Sequence, residues 1–431
     1  MITEIDDLVV QLEQQLITWR RQFHQQPEVG FLEFRTTSSI IEVLKNFRCE
    51  LFIGEQAMDP TKRLGVPSDQ VLQDALHHAQ IAPELKEQLA GGLTGCVAVF
   101  NTGKEGPHTV LRFDIDALPI KESDSQAHFP TQQGFAADSA NMHACGHDGH
   151  ITIGLGVAQL IDKKLEVLTG TITLIFQAAE EGGRGAEAFV AKGWLDNADY
   201  FLSGHIGIVE EPVGTVALTT DEFLATTKID LTFTGKSVHA GKNPEQGRNA
   251  LLSAASAALH LNGISRHSEG ATRINIGTLH AGSGRNIVAD YATMQIETRG
   301  MTSELNTYME DEANRIVKAS AALFDTQVDI QKNGAASSAI CDPEWISWGK
   351  EALANCQFVT SIEDVKPLGA SEDATAYINA IQEKGGKATF FIFASPLTEP
   401  HHNERFDYDE SVLAVAVATF MRAVCYHHAI R

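Results

Sequence analysis

The residues best suited to chemistry are concentrated in one short segment, Met142–His150, which holds a cysteine, an aspartate and three histidines within nine positions. Cys145 and His147 are separated only by Gly146, and glycine permits the tight backbone that turns a thiolate and an imidazole toward one cation. A single Cys-x-His pair is common by chance. The segment therefore predicts a metal site only together with ligands from elsewhere in the chain.

A second segment supplies two carboxylates. Glu180 and Glu181 follow the predicted strand Thr171–Phe176 and precede two glycines. Successive side chains of an extended segment point to opposite sides, so one carboxylate can bind a metal while its neighbour faces a water molecule. One metal ligand beside one general base is what metal-dependent hydrolysis requires. A pair of solvated acids is the commoner fate of an isolated Glu-Glu, and that alternative stays open at this point.

Histidines in two further segments follow apolar runs. His205 follows the predicted strand Tyr200–Ser203, and His401 and His402 lie in the polar segment Glu399–Glu404. Ligands collected from four distant loops fit a preformed site at one edge of a sheet. One cysteine, three histidines and one glutamate exceed the needs of a single four-coordinate ion, which favours two metal ions and a hydrolytic reaction.

The elements that must position these residues alternate between helices and strands. Apolar periodicity predicts helices over Ile5–Phe23 and Glu33–Asn46, and Gly65–Gly92 is interpreted as an inserted helical stretch. Strands are predicted at Cys96–Phe100, Thr109–Phe113, Thr171–Phe176 and Tyr200–Ser203, and a helix at His150–Asp162. This alternation predicts an α/β catalytic domain whose largely parallel or mixed sheet is covered on both faces.

A self-contained order of elements follows between Phe223 and Ile330. The predicted elements are strand Ala225–Thr234, helix Gly247–Asn262, strand Thr272–Leu279, strand Ile287–Thr298, helix Ser303–Leu323 and strand Thr326–Gln331. The order β-α-β-β-α-β predicts a ferredoxin-like domain. We expect it to comprise residues 223–332, inserted into a catalytic domain of residues 1–222 and 333–431.

Composition restricts the class of protein. The chain of 431 residues is 43% hydrophobic and 21% charged, which is typical of a globular protein of two domains. A net charge of −23 repels nucleic-acid phosphates and anionic lipid headgroups alike, so it argues against nucleic-acid and membrane partners. The N-terminal segment shows no signal peptide, which makes the cytoplasm the expected location.

Several motifs resemble, in order and spacing, those of the dinuclear metal amidohydrolases. They are Trp19–His24, Glu33–Thr36, Leu111–Pro119, Met142–His150 and Phe176–Gly182. The resemblance covers nearly the whole chain and is narrower to the branch of hippurate, N-acyl-amino-acid and indole-acetyl-amino-acid hydrolases. Four further segments look most like the aminobenzoyl-glutamate hydrolases of that branch, namely Gly65–Gly92, Ala225–Lys228, Gly282–Asn286 and His401–Glu404.

The resemblance implies a role for each candidate in the catalytic domain. Two divalent ions, Mn or Zn, would be held by Cys145, His147, Glu181, His205 and His402, with Glu180 as the general base. His401, His143 and His150 are then expected to support or pack around the site. More distant relatives carry His-x-Asp where this chain has Asp114-Ile115-Asp116. We count Asp116 with the catalytic residues, and its role stays open.

The resemblance also assigns residues in the inserted domain. The segment Gly235–Gly241 looks like one whose histidine is offered across the interface between subunits to the scissile carbonyl, which makes His239 an oxyanion stabiliser. Asn286 and Arg299 match positions that hold a substrate carbonyl or carboxylate. A hydrogen-bonded turn asparagine and a surface arginine are the simpler alternative for these two residues.

The implied reaction is hydrolysis of an acyl-amino acid at its amide bond. The narrower resemblance implies p-aminobenzoyl-glutamate as the substrate, and a broader N-acyl-amino-acid amidohydrolase of the hippurate type is the alternative. The ferredoxin-like domain would act as lid and dimerisation domain. The resemblance implies either a homodimer or a heteromer with a related B subunit.

Overall fold

The computed structural model describes residues 2–429. The elements as far as the middle of the chain are α1 (Ile2–His24), α2 (Phe34–Leu44), β1 (Glu50–Ile53), α3 (Asp69–His78), α4 (Pro83–Gln88), β2 (Cys96–Asn101), β3 (His108–Asp114), α5 (Phe129–Gln133), α6 (His147–Lys164), β4 (Thr171–Gln177), α7 (Ala186–Val190), β5 (Tyr200–Ile206) and β6 (Thr215–Asp221). The remaining elements are β7 (Ala225–Thr234), α8 (Ala250–Leu261), β8 (Thr272–Ala281), β9 (Tyr291–Gly300), α9 (Ser303–Leu323), β10 (Gln327–Ala336), α10 (Glu344–Ala352), β11 (Ser361–Pro367), α11 (Thr375–Glu383), β12 (Lys387–Phe393) and α12 (Val412–His428).

The chain divides into two compact units. The first unit contains the chain up to Asp221, the segment Ile340–Leu368 and the chain from Asp373 onward. The second unit contains Glu222–Ala339 and Gly369–Glu372. The predicted domain boundary between residues 332 and 333 lies inside β10. A glycine often ends a strand, but here a β-bulge between Lys332 and Gly334 lets the strand continue past Gly334.

The first unit is built on an eight-stranded mixed sheet in the order β1-β2-β4-β3-β5-β12-β6-β11. Its central strands β4, β3, β5 and β12 are parallel. Phe113 of β3 lies against Gly154 of α6, whereas Phe201 of β5 stacks on Tyr377 of α11 at 5.2 Å. Phe201 pairs with Val110 and so lies on the face opposite Phe113. Helices therefore cover both faces, and the predicted mixed α/β sheet is confirmed.

Buried charges join α1 to the start of α6. The guanidinium of Arg20 donates from Nε to Asp148 Oδ2 at 2.8 Å and from Nη2 to Asp407 Oδ1 at 2.6 Å. The ring of His24 lies between Asp148 Oδ2, 2.8 Å from Nδ1, and Glu122 Oε1, 2.9 Å from Nε2. Burial and Arg20 alone would lower the pKa of His24, but the two carboxylates raise it to about 9. His24 is therefore an imidazolium that bridges two anions.

The second unit has its own sheet and core. Its elements follow the order β-α-β-β-α-β from β7 to β10, and the antiparallel sheet has the order β10-β7-β9-β8. Buried residues from α8, α9 and the sheet, including Ala254, Val317 and Met294, form one cluster. β9 begins at Tyr291 and not at the expected Ile287, because Ile287 instead forms an isolated bridge with His239.

Among residues 2–429, no helix combines the length and the apolar character that crossing a membrane would require.

Candidate metal centre

Parallel strands bring the candidate residues to one edge of the large sheet. β3, β4 and β5 end in the same direction, and the segments that follow β3 and β4 carry Asp116, Glu180 and Glu181. The expected loop position of His205 is wrong, because β5 extends to Ile206 and the histidine lies within the strand. The strand continues because its carboxyl-terminal residues pair with the buried interior strand β12.

The five predicted ligands lie in overlapping groups. Ligand atoms of Cys145, His147 and His205 all lie within 4.8 Å of one another. The same holds for Cys145, Glu181 and His402, and for His147, Glu180 and Glu181. The structure therefore gathers all five side chains, and the predicted base beside them, from segments that are far apart in sequence.

Backbone carbonyls orient two of the imidazoles in the same way. The Nδ1–H of His147 donates to the carbonyl of Asp116 at 2.9 Å, and the Nδ1–H of His205 donates to the carbonyl of Ile206 at 2.8 Å. This leaves each Nε2 lone pair for a cation. The Nε2 of His205 lies 3.5 Å from Cys145 Sγ. Such held imidazoles are typical of metal ligands, whose second ring nitrogen is fixed by a hydrogen bond.

Two buried atoms at this centre fit a metal ion. Within the described part of the chain, His147 Nε2 and Glu181 Oε1 are buried and have no hydrogen-bond partner. A buried polar atom without a partner costs free energy unless something satisfies it. Imidazole nitrogen, thiolate sulfur and carboxylate oxygen are the donors that zinc accepts, and the carboxylate also suits manganese. The residues therefore fit a divalent cation.

His402 completes the set from the C-terminal part of the chain. Its Nε2 lies 3.5 Å from Glu181 Oε1, and its backbone N–H donates to the carbonyl of Ala144 at 2.8 Å. The neighbouring His401 turns elsewhere, because its Nε2 donates to the carbonyl of Ile206 at 3.2 Å. The two adjacent histidines therefore have different partners, and His402 is the one beside Glu181.

Burial shifts the pKa values of the ligands in opposite directions. Burial, followed by the neighbouring His150 and His401, lowers the pKa of His205 well below its usual value, so its ring is neutral. Burial and then Glu181 raise the pKa of the Cys145 thiol well above its usual value. A cation that binds Cys145 must therefore displace the thiol proton.

Asp116 holds the backbone of the two glutamates. Its Oδ1 accepts from the N–H of Glu180 and its Oδ2 accepts from the N–H of Glu181, both at 3.0 Å. Its Oδ1 also lies 3.3 Å from His147 Nδ1. The carboxylate thus faces backbone donors and a ligand ring, which is the geometry of a positioning residue.

Glu33 extends the same arrangement and had no predicted role. Its Oε1 accepts from the N–H of Ala179 at 2.8 Å, and its Oε2 accepts from the hydroxyl of Thr94 at 2.5 Å. Burial and then Asp116 raise the pKa of Glu33 to about 8. The only sequence signal for this role is a single acid among the apolar residues Phe31, Leu32 and Phe34.

Asp114 and His150 form a hydrogen-bonded pair next to His147. Asp114 accepts from Arg112 Nη1 at 2.8 Å and from His150 Nδ1 at 2.5 Å, and all three side chains are buried. His150 Nε2 in turn accepts from the N–H of Ile206 at 3.1 Å. His150 therefore fixes the end of β5, beside His205. His143 is also buried, and burial lowers its pKa to about 4.

The three remaining candidates lie in the second unit. His239 and Asn286 are exposed, and their loops adjoin, because the N–H of Ala240 donates to the carbonyl of Asn286 at 2.9 Å. Arg299 lies on β9, where its Nε is 3.1 Å from Glu297 Oε2. The structure thus brings His239 and Asn286 together within this unit, whereas Arg299 is paired with a carboxylate.

Comparison with known proteins identifies the family. The sequence model of peptidase family M20/M25/M40 matches residues 110–425. The chain belongs to this family. As a member of peptidase family M20/M25/M40 it is a hydrolase that uses divalent metal ions to cleave an amide bond.

Relatives within the M20/M25/M40 peptidases confirm the narrower resemblance. The A subunit of p-aminobenzoyl-glutamate hydrolase from Escherichia coli (strain K12) is 42% identical over 423 residues, which cover 97% of each chain. The indole-3-acetyl-aspartic acid hydrolase of Enterobacter agglomerans is 42% identical over 420 residues, which cover 96% of each chain. The crystal structure of an aminobenzoyl-glutamate utilization protein from Klebsiella pneumoniae has a TM-score of 0.84 at 38% identity and covers 97% of each chain.

Proposed function

We propose that this chain hydrolyses the amide bond of p-aminobenzoyl-glutamate and releases p-aminobenzoate and glutamate. The observation that carries the proposal is the pair Glu180 and Glu181, held by Asp116 beside four further ligand side chains. Similarity over nearly the full length to one component of a p-aminobenzoyl-glutamate hydrolase supports the choice of substrate.

We assign two divalent ions, Mn or Zn, to Cys145, His147, Glu181, His205 and His402. When bound, such ions polarise the scissile carbonyl and lower the pKa of water. The carboxylate of Glu180 accepts the proton of the attacking water and delivers it to the leaving amine. Asp116 fixes the direction of Glu180 through the backbone and holds the ring of His147.

The second unit supplies the remaining proposed roles. We propose that it is a ferredoxin-like lid and dimerisation domain in which His239 stabilises the oxyanion while Asn286 and Arg299 bind substrate. Adjacency of the His239 and Asn286 loops supports a joint role for these two residues. The partner would be a second copy of the chain or a related B subunit.

Replacement of the proposed base tests the mechanism. Glu180→Gln should keep the bound metal and lose turnover by about a hundredfold or more, because proton transfer by a positioned carboxylate contributes about 10²–10⁴-fold. Metal content by elemental analysis and release of glutamate are the measurements. The variant Glu187→Gln, in α7, is the matched control and should keep full turnover. Unchanged turnover in Glu180→Gln would refute the assignment.

A substrate panel tests the reaction itself. The metal-stripped chain, reloaded with manganese or zinc, is assayed with p-aminobenzoyl-glutamate, hippurate and acetyl-amino acids, with and without a candidate B subunit. Faster cleavage of hippurate or small acyl groups would favour the alternative of a broader N-acyl-amino-acid hydrolase. The indole-3-acetyl-aspartic acid hydrolase among the relatives makes indole-acetyl-aspartate a necessary member of the panel.

A further inference from the structure

Two arginines of the first unit differ from the others in their partners. Seven arginines described in this unit each have a carboxylate within 4.0 Å, namely Arg20, Arg21, Arg35, Arg48, Arg112, Arg405 and Arg422. Among the described residues, no carboxylate lies within that distance of Arg63 or Arg184. In a chain of net charge −23, two guanidinium groups without an anion require an explanation.

Both arginines converge on one buried ring next to the metal centre. The guanidinium carbon of Arg63 lies 5.4 Å from the centroid of Phe31, and that of Arg184 lies 5.6 Å from it. Arg184 donates from Nε to the carbonyl of the ligand Glu181 at 2.8 Å. The pair therefore stands beside the turn that carries the general base.

Backbone carbonyls accept hydrogen bonds from both arginine side chains but do not use all of their N–H donors. Arg63 donates from Nη1 to Gly91 at 2.7 Å and to Gly92 at 3.0 Å, and Arg184 donates from Nη1 to Gly65 at 3.3 Å. No hydrogen bond from Nη2 of either residue is formed within the described part of the chain. A guanidinium group has five N–H donors in a rigid fork that suits a carboxylate. The N–H groups of Arg63 and Arg184 that form no hydrogen bond with the described residues can therefore bind a carboxylate.

The surroundings are arranged for these groups. Both arginines are half-buried, and burial lowers the pKa of Arg63 because no anion compensates its charge. A side chain at Gly30 would collide with Nη2 of Arg184, so glycine is required for the guanidinium to approach that backbone. An uncompensated, partly desolvated cation binds an incoming anion more strongly than a solvated one does.

We propose that Arg63 and Arg184 form a subsite for the side-chain carboxylate of an acidic amino acid in the substrate. This inference rests on the proposed function, and it makes the pair the determinant of specificity for glutamate over neutral amino acids. The group bound at this subsite would be the side-chain carboxylate of the substrate, which is distinct from the α-carboxylate next to the scissile amide. The two relatives named for glutamate and aspartate conjugates support this chemistry.

Paired substrates test the subsite. The metal-loaded chain is assayed with p-aminobenzoyl-glutamate and with p-aminobenzoyl-glutamine, which has the same shape without the charge. Arg184→Met and Arg63→Met should each lower kcat/KM for the glutamate conjugate by about 10-fold to 100-fold more than for the glutamine conjugate. Arg48→Met removes an exposed, carboxylate-paired arginine and is the matched control.

A second variant separates charge from folding. Arg184→Lys keeps the charge and loses the fork, so it should recover part of the discrimination. Thermal unfolding and metal content of every variant are compared with those of Arg48→Met. An equal loss of kcat/KM for both substrates, or no loss for either, would overturn the proposal. The arginines would then only connect neighbouring loops through hydrogen bonds.

Failure of the proposed function has a different signature. If the wild-type chain cleaves neither conjugate, the amide-hydrolysis assignment for these substrates fails, and glutarate binding measured by calorimetry decides the subsite. Weaker glutarate binding in Arg184→Met than in the wild type would support the subsite. Equal binding in both, or no binding, would overturn it.

Discussion

At the scale of single residues, two buried carboxyl groups fix the turn that carries the proposed metal ligand and general base. Glu33 and Asp116 together accept the three successive N–H groups of Ala179, Glu180 and Glu181. Ala179 has a φ of 55°, a left-handed conformation that costs a non-glycine residue roughly 1–2 kcal/mol. The hydrogen bonds to the carboxyl oxygens of Glu33 and Asp116 offset this cost and keep the proposed ligand and the proposed base on adjacent residues.

Glu33 therefore offers a test of positioning. Glu33→Gln retains an acceptor for Ala179 and a polar group for Thr94, and it should keep turnover within a few-fold. Glu33→Leu leaves the N–H of Ala179 buried without a partner, which costs about 1–3 kcal/mol and should lower kcat about tenfold or more. The measurements are kcat, KM and metal content. Equal losses in the Gln and Leu variants, or an unaffected Leu variant, would contradict a positioning role.

At the scale of elements, the helix that carries His147 is placed by close packing on the sheet. Gly154 of α6 faces Phe113 and Phe176, and a Cβ at this position would lie 2.7 Å from atoms of both rings. Gly156 of the same helix leaves similar room for Val417 of α12. The small residues let α6 approach the strands, and this approach sets the position of its first turn at the metal centre.

Replacement of Gly154 tests this packing. Alanine is normally favoured over glycine inside a helix by about 1 kcal/mol. The clash with two buried rings should reverse the sign, so we expect Gly154→Ala to lower the free energy of unfolding by about 1–3 kcal/mol. Denaturant unfolding measures the change. Gly277→Ala in β8, where the nearest atom lies 3.7 Å away, is the control and should change little. A stabilised Gly154→Ala would contradict the argument.

The bridge between α1 and α6 predicts a pH dependence of stability. The pKa of His24 is raised from 6.5 to about 9 in the folded protein by Asp148 and Glu122, against burial and Arg20. Its contribution to stability is therefore complete below pH 6.5 and is lost as pH rises through 9. The gap in unfolding free energy between wild type and His24→Gln should shrink by about 3 kcal/mol over this range.

Chemical unfolding at a series of pH values measures that gap. Gln22→Ala, on the exposed side of the same helix, removes no titrating group and should show a gap that does not vary with pH. A gap of constant size for His24→Gln would show that the imidazolium bridge contributes nothing to the pH dependence.

At the scale of the whole molecule, the second unit has the features of an independently folding domain. It contains a complete four-stranded sheet, two helices and a separate buried cluster. Its first strand, β7, pairs with its last, β10, so that Thr226 lies opposite Ala336. The two ends of the segment Glu222–Ala339 are therefore neighbours, as is typical of an inserted domain.

We expect the excised fragment 222–339 to fold alone. It should show mixed helix and strand content by circular dichroism, dispersed amide resonances and a cooperative thermal transition. A variant with Met294→Asp, which puts a charge into its core, is the control and should be unfolded. A fragment without a cooperative transition would mean that the cluster depends on the first unit.

Local patterns determined much of this protein. Apolar periodicity predicted the helix Ser303–Leu323 and also α1, whose observed start at Ile2 precedes the predicted Ile5. Runs of β-branched residues predicted β7 and β4, of which β4 extends only to Gln177 beyond the predicted Phe176. Residue chemistry and spacing pointed to Cys145, His147 and the two glutamates, because thiol, imidazole and carboxylate groups are recognisable by type. These signals are local, so they can be identified in the sequence without knowing the fold.

Only the tertiary structure decided which residues support that chemistry. Glu33 lies 146 positions before Ala179, and it accepts a hydrogen bond from the backbone N–H of that residue. Almost every residue type has a backbone N–H, so the sequence does not reveal such a partner. The extension of β5 through His205 depends on pairing with β12, far along the chain. Nothing in the sequence distinguishes Arg63 and Arg184 from other arginines, and they become a pair only because the fold places both guanidinium groups on the ring of Phe31.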